Sequence, residues 1–363
     1  MAARLLPFLL LLLLLLHQPA VAVNFTCRAP GGAARCQSLV SYTARNDTNL
    51  AQIMTLFQIR SFRSLLAANG LPLFTPPSRP VPAGSTLRIR LSCSCSAGRG
   101  ASAHRPLYRI APGDGLDSIA QNVFNGLISY QEIAAANNIS DPNLIQIGQE
   151  IYIPLPCSCD EVEGEPVVHY AHVVTSGSTV SGIAAEFGTK EETLLNLNGI
   201  SDPKTLEAGQ VLDVPLRACS SSIGSASADS GLLVSNGSYI LTANNCVLCS
   251  CSSSSWELDC HPTRGISSSV CPVATCGNLS LGNSSSSTST ACESTTCTYA
   301  GYTNSTDFDI LTSLTTQSLC NSAGAPVPQP SDGFSLLVEA RSSSSFLLLS
   351  VALAMALLGW SSS

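Results

Sequence analysis

Charge is the first thing that this sequence lacks. Aspartate, glutamate, lysine and arginine make up only 11% of the 363 residues, against about 25% in an average globular protein. Lysine occurs only as Lys190 and Lys204, and the formal net charge is −7. Binding to nucleic acid requires many cations that face the phosphates. The composition therefore argues against a nucleic-acid partner and favours an uncharged ligand.

The sequence also lacks the motifs of common enzymes and metal sites. It contains no nucleophile elbow and no metalloprotease motif, and its five histidines are scattered. A glycoside hydrolase needs two placed carboxylates, but the densest acidic cluster, residues 160–165, lies in a connecting segment, where a solvated loop is expected. The cysteine pairs have Cys-x-Cys spacing and no matching histidines, unlike zinc sites. We therefore predict a protein that is not an enzyme and has no cofactor and no bound metal.

Both ends of the chain have the pattern of processing signals. At the N-terminus, Arg4 precedes an apolar run at 5–16, and the small residues at 20–22 form a cleavage site, so residues 1–22 are predicted to be a signal peptide. A membrane-spanning helix is the alternative, but it needs about 20 apolar residues. The mature protein is therefore expected to be secreted.

The C-terminal pattern is that of a lipid-anchor attachment signal. An apolar run at 346–360 follows a serine-rich spacer, and only three serines come after it. Small residues, spacer and short apolar tail predict a GPI anchor at the extracellular face of the plasma membrane. We predict attachment at Ser331, with Asn321 or Ser322 as alternatives, after a stalk at 321–331. Residues 332–363 would then be a removed propeptide, and a single-pass helix is the alternative.

The sixteen cysteines indicate disulfides, because an even number in a secreted chain normally pairs. Seven precede residue 220 and nine follow it, so complete pairing requires at least one bridge between the two regions. The seven predicted to form the disulfides of the repeat region are Cys27, Cys36, Cys93, Cys95, Cys157, Cys159 and Cys219. Seven glycosylation sequons fit the same secretory route: Asn24, Asn46, Asn138, Asn236, Asn278, Asn283 and Asn304.

The strongest pattern is an internal repeat of residues 108–154 in residues 172–215. The sequence Ile-Ser-Asp-Pro at 139–142, for example, recurs at 200–203. A degenerate earlier copy precedes them and carries a proline-rich insertion at 71–81, where an extended or turning loop is expected. A repeat of this kind determines the architecture.

Each copy has the same predicted order of elements. In the middle copy, alternating residues at 108–111 and 150–153 predict two strands. Apolar residues at helical spacing predict helices at 116–124 and 130–136. The two strands are expected to pair antiparallel, with both helices on one face.

The predicted fold class is therefore α+β, with three tandem strand-helix-helix-strand modules joined by Cys-x-Cys spacers and disulfides. Their predicted limits are 23–95, 107–156 and 170–217. A Cys/Ser-rich tail module of unknown fold is expected at 219–320, because serine, threonine and nine cysteines dominate there.

Three motifs of the middle copy resemble those of a known family. Residues 113–120 read Gly-Asp-Gly-Leu-Asp-Ser-Ile-Ala, residues 135–142 read Ala-Ala-Asn-Asn-Ile-Ser-Asp-Pro, and residues 147–154 read Ile-Gly-Gln-Glu-Ile-Tyr-Ile-Pro. These motifs resemble the LysM module. With the two processing signals, the Cys-x-Cys spacers and the Cys/Ser-rich tail, nearly the whole chain resembles the plant LysM GPI-anchored proteins.

The resemblance implies a cell-surface receptor that binds N-acetylglucosamine polymers in plant innate immunity. The implied ligands are chitin oligosaccharides and, in some members of the family, peptidoglycan fragments. A chain without a cytoplasmic portion needs a partner to signal, and the resemblance implies a transmembrane LysM receptor kinase and ligand-bridged homodimers. A passive protein that binds wall glycans is the alternative, and a glycoside hydrolase is a weaker one.

The resemblance also implies where the ligand binds, in a groove between the strand-to-helix turn and the helix-to-strand turn. In the middle copy these turns contribute Gly113, Asp114, Gly115, Leu116, Asp117, Asn143, Leu144, Ile145, Gln146, Ile147 and Gly148. Turns rich in glycine, aspartate and asparagine offer backbone groups to a sugar. Ile145 and Ile147 are the predicted apolar floor for the acetyl methyl group.

Several of these side chains have an alternative role in the core. Leu116 lies on the apolar face of a predicted helix and could pack in the core instead of touching ligand. Tyr108, Tyr130 and Tyr152 could stack on sugar rings or fill the small core. The third copy reads Lys-Thr-Leu-Glu-Ala at 204–208 where the middle copy reads Asn-Leu-Ile-Gln-Ile at 143–147, so it has a smaller apolar floor and more charge. We therefore predict that the middle copy dominates binding. The sequon at Asn138 lies close to this groove in sequence, and a glycan there would have to point away from the ligand.

Overall fold

The computed structural model describes residues 25–28, 35–263, 265–266, 270–286, 293–304 and 308–318. The predicted signal peptide, the stalk, the anchor propeptide, Ser331 and Asn24 lie outside these residues. Within the described ranges, no helix is long and apolar enough to cross a bilayer. The mixture of helices and strands and the many disulfides that the sequence predicts are confirmed.

The first unit has two long strands with two short helices between them: β1 (Arg35–Thr43), α1 (Leu50–Leu56), α2 (Phe62–Ala68) and β4 (Thr86–Ser96). Strands β1 and β4 pair antiparallel over the whole length of β1. The proline-rich insertion forms turns, as expected, and ends in the short strand β3 (Pro80–Val81), which pairs with β2 (Thr48–Asn49).

The middle unit contains β6 (Leu107–Arg109), α3 (Leu116–Ser118), α4 (Tyr130–Ala136) and β7 (Glu150–Tyr152), and its two strands pair antiparallel. The predicted helix at 116–124 is only partly α-helical, because it continues as a wider π-helical turn, Ile119–Val123. Helix α4 begins as predicted.

A reciprocal cap explains why α4 begins where it does. The Ser129 hydroxyl accepts from the Glu132 amide at 3.3 Å, and the Glu132 carboxylate accepts from the Ser129 amide at 3.0 Å. Two amides that the helix leaves unpaired are thereby satisfied.

The third unit has the same order of elements: β8 (Val167–Val173), α5 (Val180–Phe187), α6 (Glu191–Leu197) and β9 (Val211–Cys219). Helix α5 begins at Thr179, whose side chain accepts from the Gly182 amide at 3.0 Å. It ends at Gly188, which has a left-handed φ of 67° that glycine adopts without steric cost.

A half-buried asparagine joins the second helix to the last strand in every unit. In the middle unit, the Asn137 amide donates to the Ile133 carbonyl at 2.8 Å and to the Tyr152 carbonyl at 2.7 Å. Its oxygen accepts from the Tyr152 amide at 2.8 Å. Asn69 and Asn198 make the same three contacts in the first and third units. The first unit therefore has the same hydrogen bonds between its second helix and its last strand as the other two units.

The first and third units share one sheet, which the tandem repeat does not reveal. Leu39 of β1 lies opposite Tyr170 of β8 in a parallel pairing. The Ser38 hydroxyl donates to the His169 carbonyl at 2.8 Å, and the Ser41 hydroxyl accepts from the Val173 amide at 3.1 Å. The resulting six-stranded sheet has the order β10-β9-β8-β1-β4-β5, where β5 is Arg99–Ser102 and β10 is Val234–Ser235.

The middle unit lies outside that sheet and packs on the first unit through apolar side chains. Both units contribute to a single buried core. Phe57 of the first unit meets Phe124 of the middle unit edge to face, with ring centroids 5.9 Å apart. Aromatic pairs of this kind add about 0.5–1.5 kcal/mol beyond the area that they bury.

Disulfide bonds link the units to one another and to the tail. Cys27 pairs with Cys95, Cys36 with Cys159, and Cys93 with Cys157, so two bridges join the first unit to the segment after the middle unit. Cys219 pairs with Cys251 and thereby joins the third unit to the tail, which the odd cysteine counts require. A bridge of this kind typically stabilises a fold by about 2–4 kcal/mol.

The described part of the tail is built from β-strands. One sheet has the order β11 (Tyr239–Thr242), β12 (Val247–Cys251) and β13 (Leu258–Pro262). The short strands β14 (Thr275–Cys276) and β15 (Leu279–Ser280) pair with each other. A further sheet contains β16 (Ser284–Ser286) and the long antiparallel pair β17 (Glu293–Asn304) and β18 (Phe308–Ser318). The tail also contacts the first unit, because the Tyr239 hydroxyl donates to the Leu71 carbonyl at 2.6 Å.

Candidate functional site

The two turns of the predicted groove leave the same end of the β6–β7 ladder. The Ile110 amide donates to the Gln149 carbonyl at 2.9 Å, and the Ile110 carbonyl accepts from the Gly148 amide at 2.8 Å. These two bonds bring the turn that follows Ile110 beside the turn that ends at Gly148. The structure therefore brings the two predicted segments, 113–117 and 143–148, together.

The first turn is held by its own aspartate. The Asp114 carboxylate accepts from the Ala111 amide at 2.7 Å and from the Tyr108 hydroxyl at 2.9 Å. Burial, this hydrogen bond and the negative charge of Asp114 together raise the pKa of Tyr108 to about 12. Gly113 has a φ of +88°, so the turn needs glycine there. Asp114 therefore shapes the groove, and the exposed Asp117 is the carboxylate free to face a ligand.

Leu116 is a core residue, which corrects the prediction that it contributes to the ligand surface. Its side chain is only 2% exposed, because helix α3 points it into the core shared with the first unit. Only its backbone belongs to the groove.

The tyrosines are also engaged internally. The Tyr152 hydroxyl donates to the Ser102 carbonyl, and the Tyr108 hydroxyl donates to Asp114. Tyr108 and Tyr130 are half-buried and pack against the shared core. These contacts favour the core interpretation over stacking on sugar rings.

The second turn presents two apolar side chains to solvent. The Asp141 carboxylate accepts a hydrogen bond from the backbone N–H of Asn143 at 2.9 Å, and the side-chain oxygen of Gln149 accepts one from the backbone N–H of Gln146 at 3.0 Å. With the backbone fixed in this way, Leu144 is 73% exposed and Ile147 is 69% exposed.

Ile145 differs from its neighbours, because it is half-buried and packs against the core. The apolar surface of the turn therefore consists of Leu144 and Ile147, with Ile145 supporting it from below. The amide side chains of Asn143 and Gln146 are exposed beside it. The site thus offers apolar contact and hydrogen bonding with little charge.

The third unit does not have this exposed apolar pair. The third unit repeats the backbone geometry, since Val174 bonds to Gly209 and Gln210 at 2.8 Å each. Its exposed residues at the matching positions are Thr205 and Ala208, and Glu207 adds a charge beside them. The same frame therefore presents a more polar surface in the third unit.

Asn138 is exposed, and its left-handed φ of 54° is matched by Gly70 and Gly199 in the other units. It follows Asn137, which is bonded to Tyr152, at the far end of β7 from Gly148. Of the other sequons, Asn46, Asn236, Asn278 and Asn283 are exposed as well.

Acidic residues of the cluster at 160–165 make separate ion pairs and hydrogen bonds with other parts of the chain. Glu163 accepts from Lys190 at 2.8 Å and from the Thr193 hydroxyl, and these bonds lower the pKa of its carboxyl group. Glu165 pairs with Arg217 at 3.5 Å. The geometry does not resemble a pair of catalytic carboxylates that flank a substrate.

Four cysteine sulfurs of the repeat region, from Cys27, Cys93, Cys95 and Cys159, lie within 4.8 Å of one another. All four are in disulfides. They therefore offer no thiolate to a metal.

The family model of the LysM domain matches residues 108–154 and 172–215. The rice (Oryza sativa subsp. japonica) chitin elicitor-binding protein is 47% identical over 301 residues, which cover 82% of this chain and 83% of the relative. The LysM domain-containing GPI-anchored protein 2 of Arabidopsis thaliana is 45% identical over 286 residues, covering 78% of this chain and 81% of the relative.

Among solved structures, the ectodomain of a receptor-like kinase is similar with a TM-score of 0.43 and 19% identity, over 49% of this chain and 90% of that one. The relatives above are named as binding or anchored proteins and not as enzymes. Their high identity over most of the length confirms the resemblance that the motifs indicate. The chain therefore belongs to the family of plant LysM domain-containing GPI-anchored proteins, which act at the extracellular face of the plasma membrane.

Proposed function

We propose that this protein is a cell-surface receptor that binds N-acetylglucosamine polymers, with chitin oligosaccharides as the main ligand. The binding site is the groove of the middle unit, formed by residues 113–117 and 143–148. The observation that carries the proposal is the exposed pair Leu144 and Ile147, which stands beside hydrogen-bonding turns. An N-acetylglucosamine unit is uncharged and offers an acetyl methyl group, an amide and hydroxyls, so it fits such a surface.

The name of the rice relative supports the choice of chitin, because that protein is described as binding a chitin elicitor. Peptidoglycan fragments contain the same sugar and are the second candidate ligand. The low charge of the groove favours chitin, because a neutral polymer needs no ionic partner there.

The proposed organisation has three LysM modules, at 23–95, 107–156 and 170–217, followed by the Cys/Ser-rich module at 219–320. The first unit is proposed as a LysM module because it has the same asparagine contacts as the other two. A stalk at 321–331 would lead to an anchor at Ser331. The seven cysteines and the seven sequons named above complete this proposal.

Signalling would require a transmembrane LysM receptor kinase as a partner, and a long oligomer could bridge two receptors into a homodimer. Bridging raises the effective concentration of the second binding event. A passive wall-binding protein is the alternative, and it would bind chitin without recruiting a kinase. Coprecipitation of a LysM receptor kinase with and without chitin oligomer separates the two roles.

Retention of the purified protein on chitin beads tests the proposed ligand. Cellulose beads are the matched control, because cellulose has the same β-linked backbone but lacks the acetamido groups. We expect strong retention on chitin and little on cellulose, with soluble chitin oligomers competing better than peptidoglycan fragments. Equal retention on both polymers, or none on chitin, would contradict the proposal. Shortened oligomers after incubation would reveal a hydrolase.

A further inference from the structure

The charges of this chain are distributed very unevenly. Residues 35–110 contain ten arginines but only one acidic residue, Asp47, which is a net charge of +9. Because the whole chain carries −7, the remainder carries −16. The low overall charge that favours a neutral ligand therefore conceals a strongly basic stretch, which covers the first unit and continues through strand β6.

Several of these arginines line one cleft of about 660 Å³. The cleft lies between strand β4, the turn that joins α1 to α2, and the segment that leads into β6. We call this cleft the arginine cleft, because its basic lining residues are Arg35, Arg60, Arg90, Arg105 and His104. Its apolar lining includes Phe57, Ile59, Ile89, Leu91, Leu107 and Leu155, and no aspartate or glutamate is part of it.

Arg90 is the residue that points to a ligand. It is half-buried on β4, opposite Leu39 of β1, and besides the cleft it lines a small pocket with Leu39 and Val168. Within the described part of the chain, no hydrogen bond or ion pair engages its guanidinium group. Burial without a counter-charge is unfavourable, and it lowers the pKa of Arg90 to about 10. A bound anion would relieve this cost.

The rim of the cleft is fixed in place. Gln58 accepts from the Leu107 amide at 3.1 Å and from the Arg105 guanidinium at 3.4 Å. These contacts hold the segment before β6 against the first unit. Arg35 and Arg60 are exposed at the same rim, where they can turn toward a ligand.

We propose that the arginine cleft binds an organic anion with an apolar body. Arg90 would hold a carboxylate, sulfate or phosphate group, because the planar guanidinium matches these groups with two parallel hydrogen bonds. Phe57, Ile89 and the neighbouring apolar side chains would cover the body. The volume lies within the range of about 300–1,000 Å³ that small-molecule sites have.

This site is separate from the groove. Leu107, at the rim of the cleft, is the first residue of strand β6, and Ile110, beside the groove, directly follows its last residue. An extended chain rises about 3.3 Å per residue, so the two sites are roughly 10 Å apart along that strand. An anionic ligand could therefore occupy the cleft while a neutral glycan occupies the groove.

Calorimetric titration of the purified protein tests this site. The probes are 2-naphthoate, 2-naphthalenesulfonate and 2-naphthyl phosphate, with neutral 2-naphthol as the control. We expect the anionic probes to bind at least about tenfold more tightly than 2-naphthol, and the order among them identifies the preferred head group. Equal binding of neutral and anionic probes, or no binding of any anion, would overturn the proposal.

Two variants locate the site. Arg90→Gln is expected to weaken the anionic probes by about tenfold or more, which corresponds to about 1.4 kcal/mol. Arg99→Gln removes the same charge from an exposed residue of β5 that does not line the cleft, and it is expected to change the affinity by less than about twofold. Arg60→Gln, at the exposed rim, serves in place of the first variant if that one does not fold. Equal losses in the cleft and control variants would also overturn the proposal, whereas chitin retention by the same samples reports on the groove separately.

Discussion

The hydroxyl of Tyr108 donates a hydrogen bond of 2.9 Å to the carboxylate of Asp114, across the turn that forms one wall of the groove. The same carboxylate accepts from the Ala111 amide at 2.7 Å. In the third unit the matching turn is held by Thr175 and Ser178, whose hydroxyl oxygens are 2.9 Å apart. The middle unit therefore uses a charged acceptor where the third unit uses a neutral one.

Asp114→Ala is expected to destabilise the protein by about 1–3 kcal/mol, because hydrogen bonds to a charged group contribute more than neutral ones. Chitin affinity should fall several-fold as the wall of the groove loosens. Urea unfolding and calorimetry measure the two effects. Tyr108→Phe removes only one of the two bonds and should cost about 1 kcal/mol or less. An Asp114→Ala protein with unchanged stability and affinity would show that the turn does not depend on this carboxylate.

Asn137→Ala is expected to destabilise the protein by about 2–3 kcal/mol, because three hydrogen bonds to half-buried backbone groups are lost. Thermal and urea unfolding give the change. Asn143→Ala is the control, since its exposed amide contacts only Asp141 and its loss should cost about 0.5 kcal/mol or less. Similar losses in both variants would mean that the asparagine contact does not hold α4 to β7.

Asn138→Gly is expected to leave chitin affinity within about twofold. The left-handed backbone at this position suits glycine, which the first and third units use there, so the change removes the sequon without strain. The residue lies near the end of β7 that is farther from Gly148, so its glycan would point away from the groove. Calorimetry on glycosylated and variant protein compares the affinities. A large gain in affinity for the variant would show that the glycan obstructs the ligand.

The buried pair of His169 and Asp213 predicts that stability depends on pH. Burial opposes the charged imidazolium, but the charge and hydrogen bond of Asp213, at 2.8 Å, outweigh it and raise the pKa of His169. A raised pKa means that the folded protein binds the proton more tightly than the unfolded chain. The resulting stabilisation is complete below the unfolded pKa of about 6.5 and is lost as the pH rises through the folded value.

We therefore expect the difference in unfolding free energy between the wild type and His169→Gln to be larger at about pH 5.5 than at about pH 8.5. This difference isolates His169 from His172, whose pKa burial lowers and which therefore acts in the opposite direction. Urea unfolding at the two pH values measures it. A difference that is constant or larger at high pH would contradict the ion pair.

The repeat pattern was sufficient to predict the order of strands and helices, and that order led us to expect the antiparallel pairing of β6 with β7. The apolar spacing predicted α4. The exposure of residues within the turn could not be predicted, because a turn has no fixed period. Leu144 and Ile147 point outward and Ile145 points inward, and only the hydrogen bonds of Asp141 and Gln149 decide this.

The contact between the first and third units also could not be predicted from the sequence. It depends on buried Ser38 and Ser41, whose hydroxyls bond to backbone groups of β8. Serine in a strand normally suggests an exposed edge, since nothing in its own segment supplies a buried partner. The arginine cleft was hidden for a related reason, because the overall charge averages a basic unit with acidic neighbours.

The central claim is that Leu144 and Ile147 of the middle unit hold the acetyl groups of chitin. Calorimetric titration of a chitin oligomer into the double variant Leu144→Ser and Ile147→Ser tests it most directly. Ala208→Ser, at the matching exposed position of the third unit, is the control. We predict at least about a tenfold loss of affinity in the double variant, with unfolding unchanged because both side chains are exposed, and less than about a twofold change in the control. Wild-type affinity in a folded double variant would contradict the account.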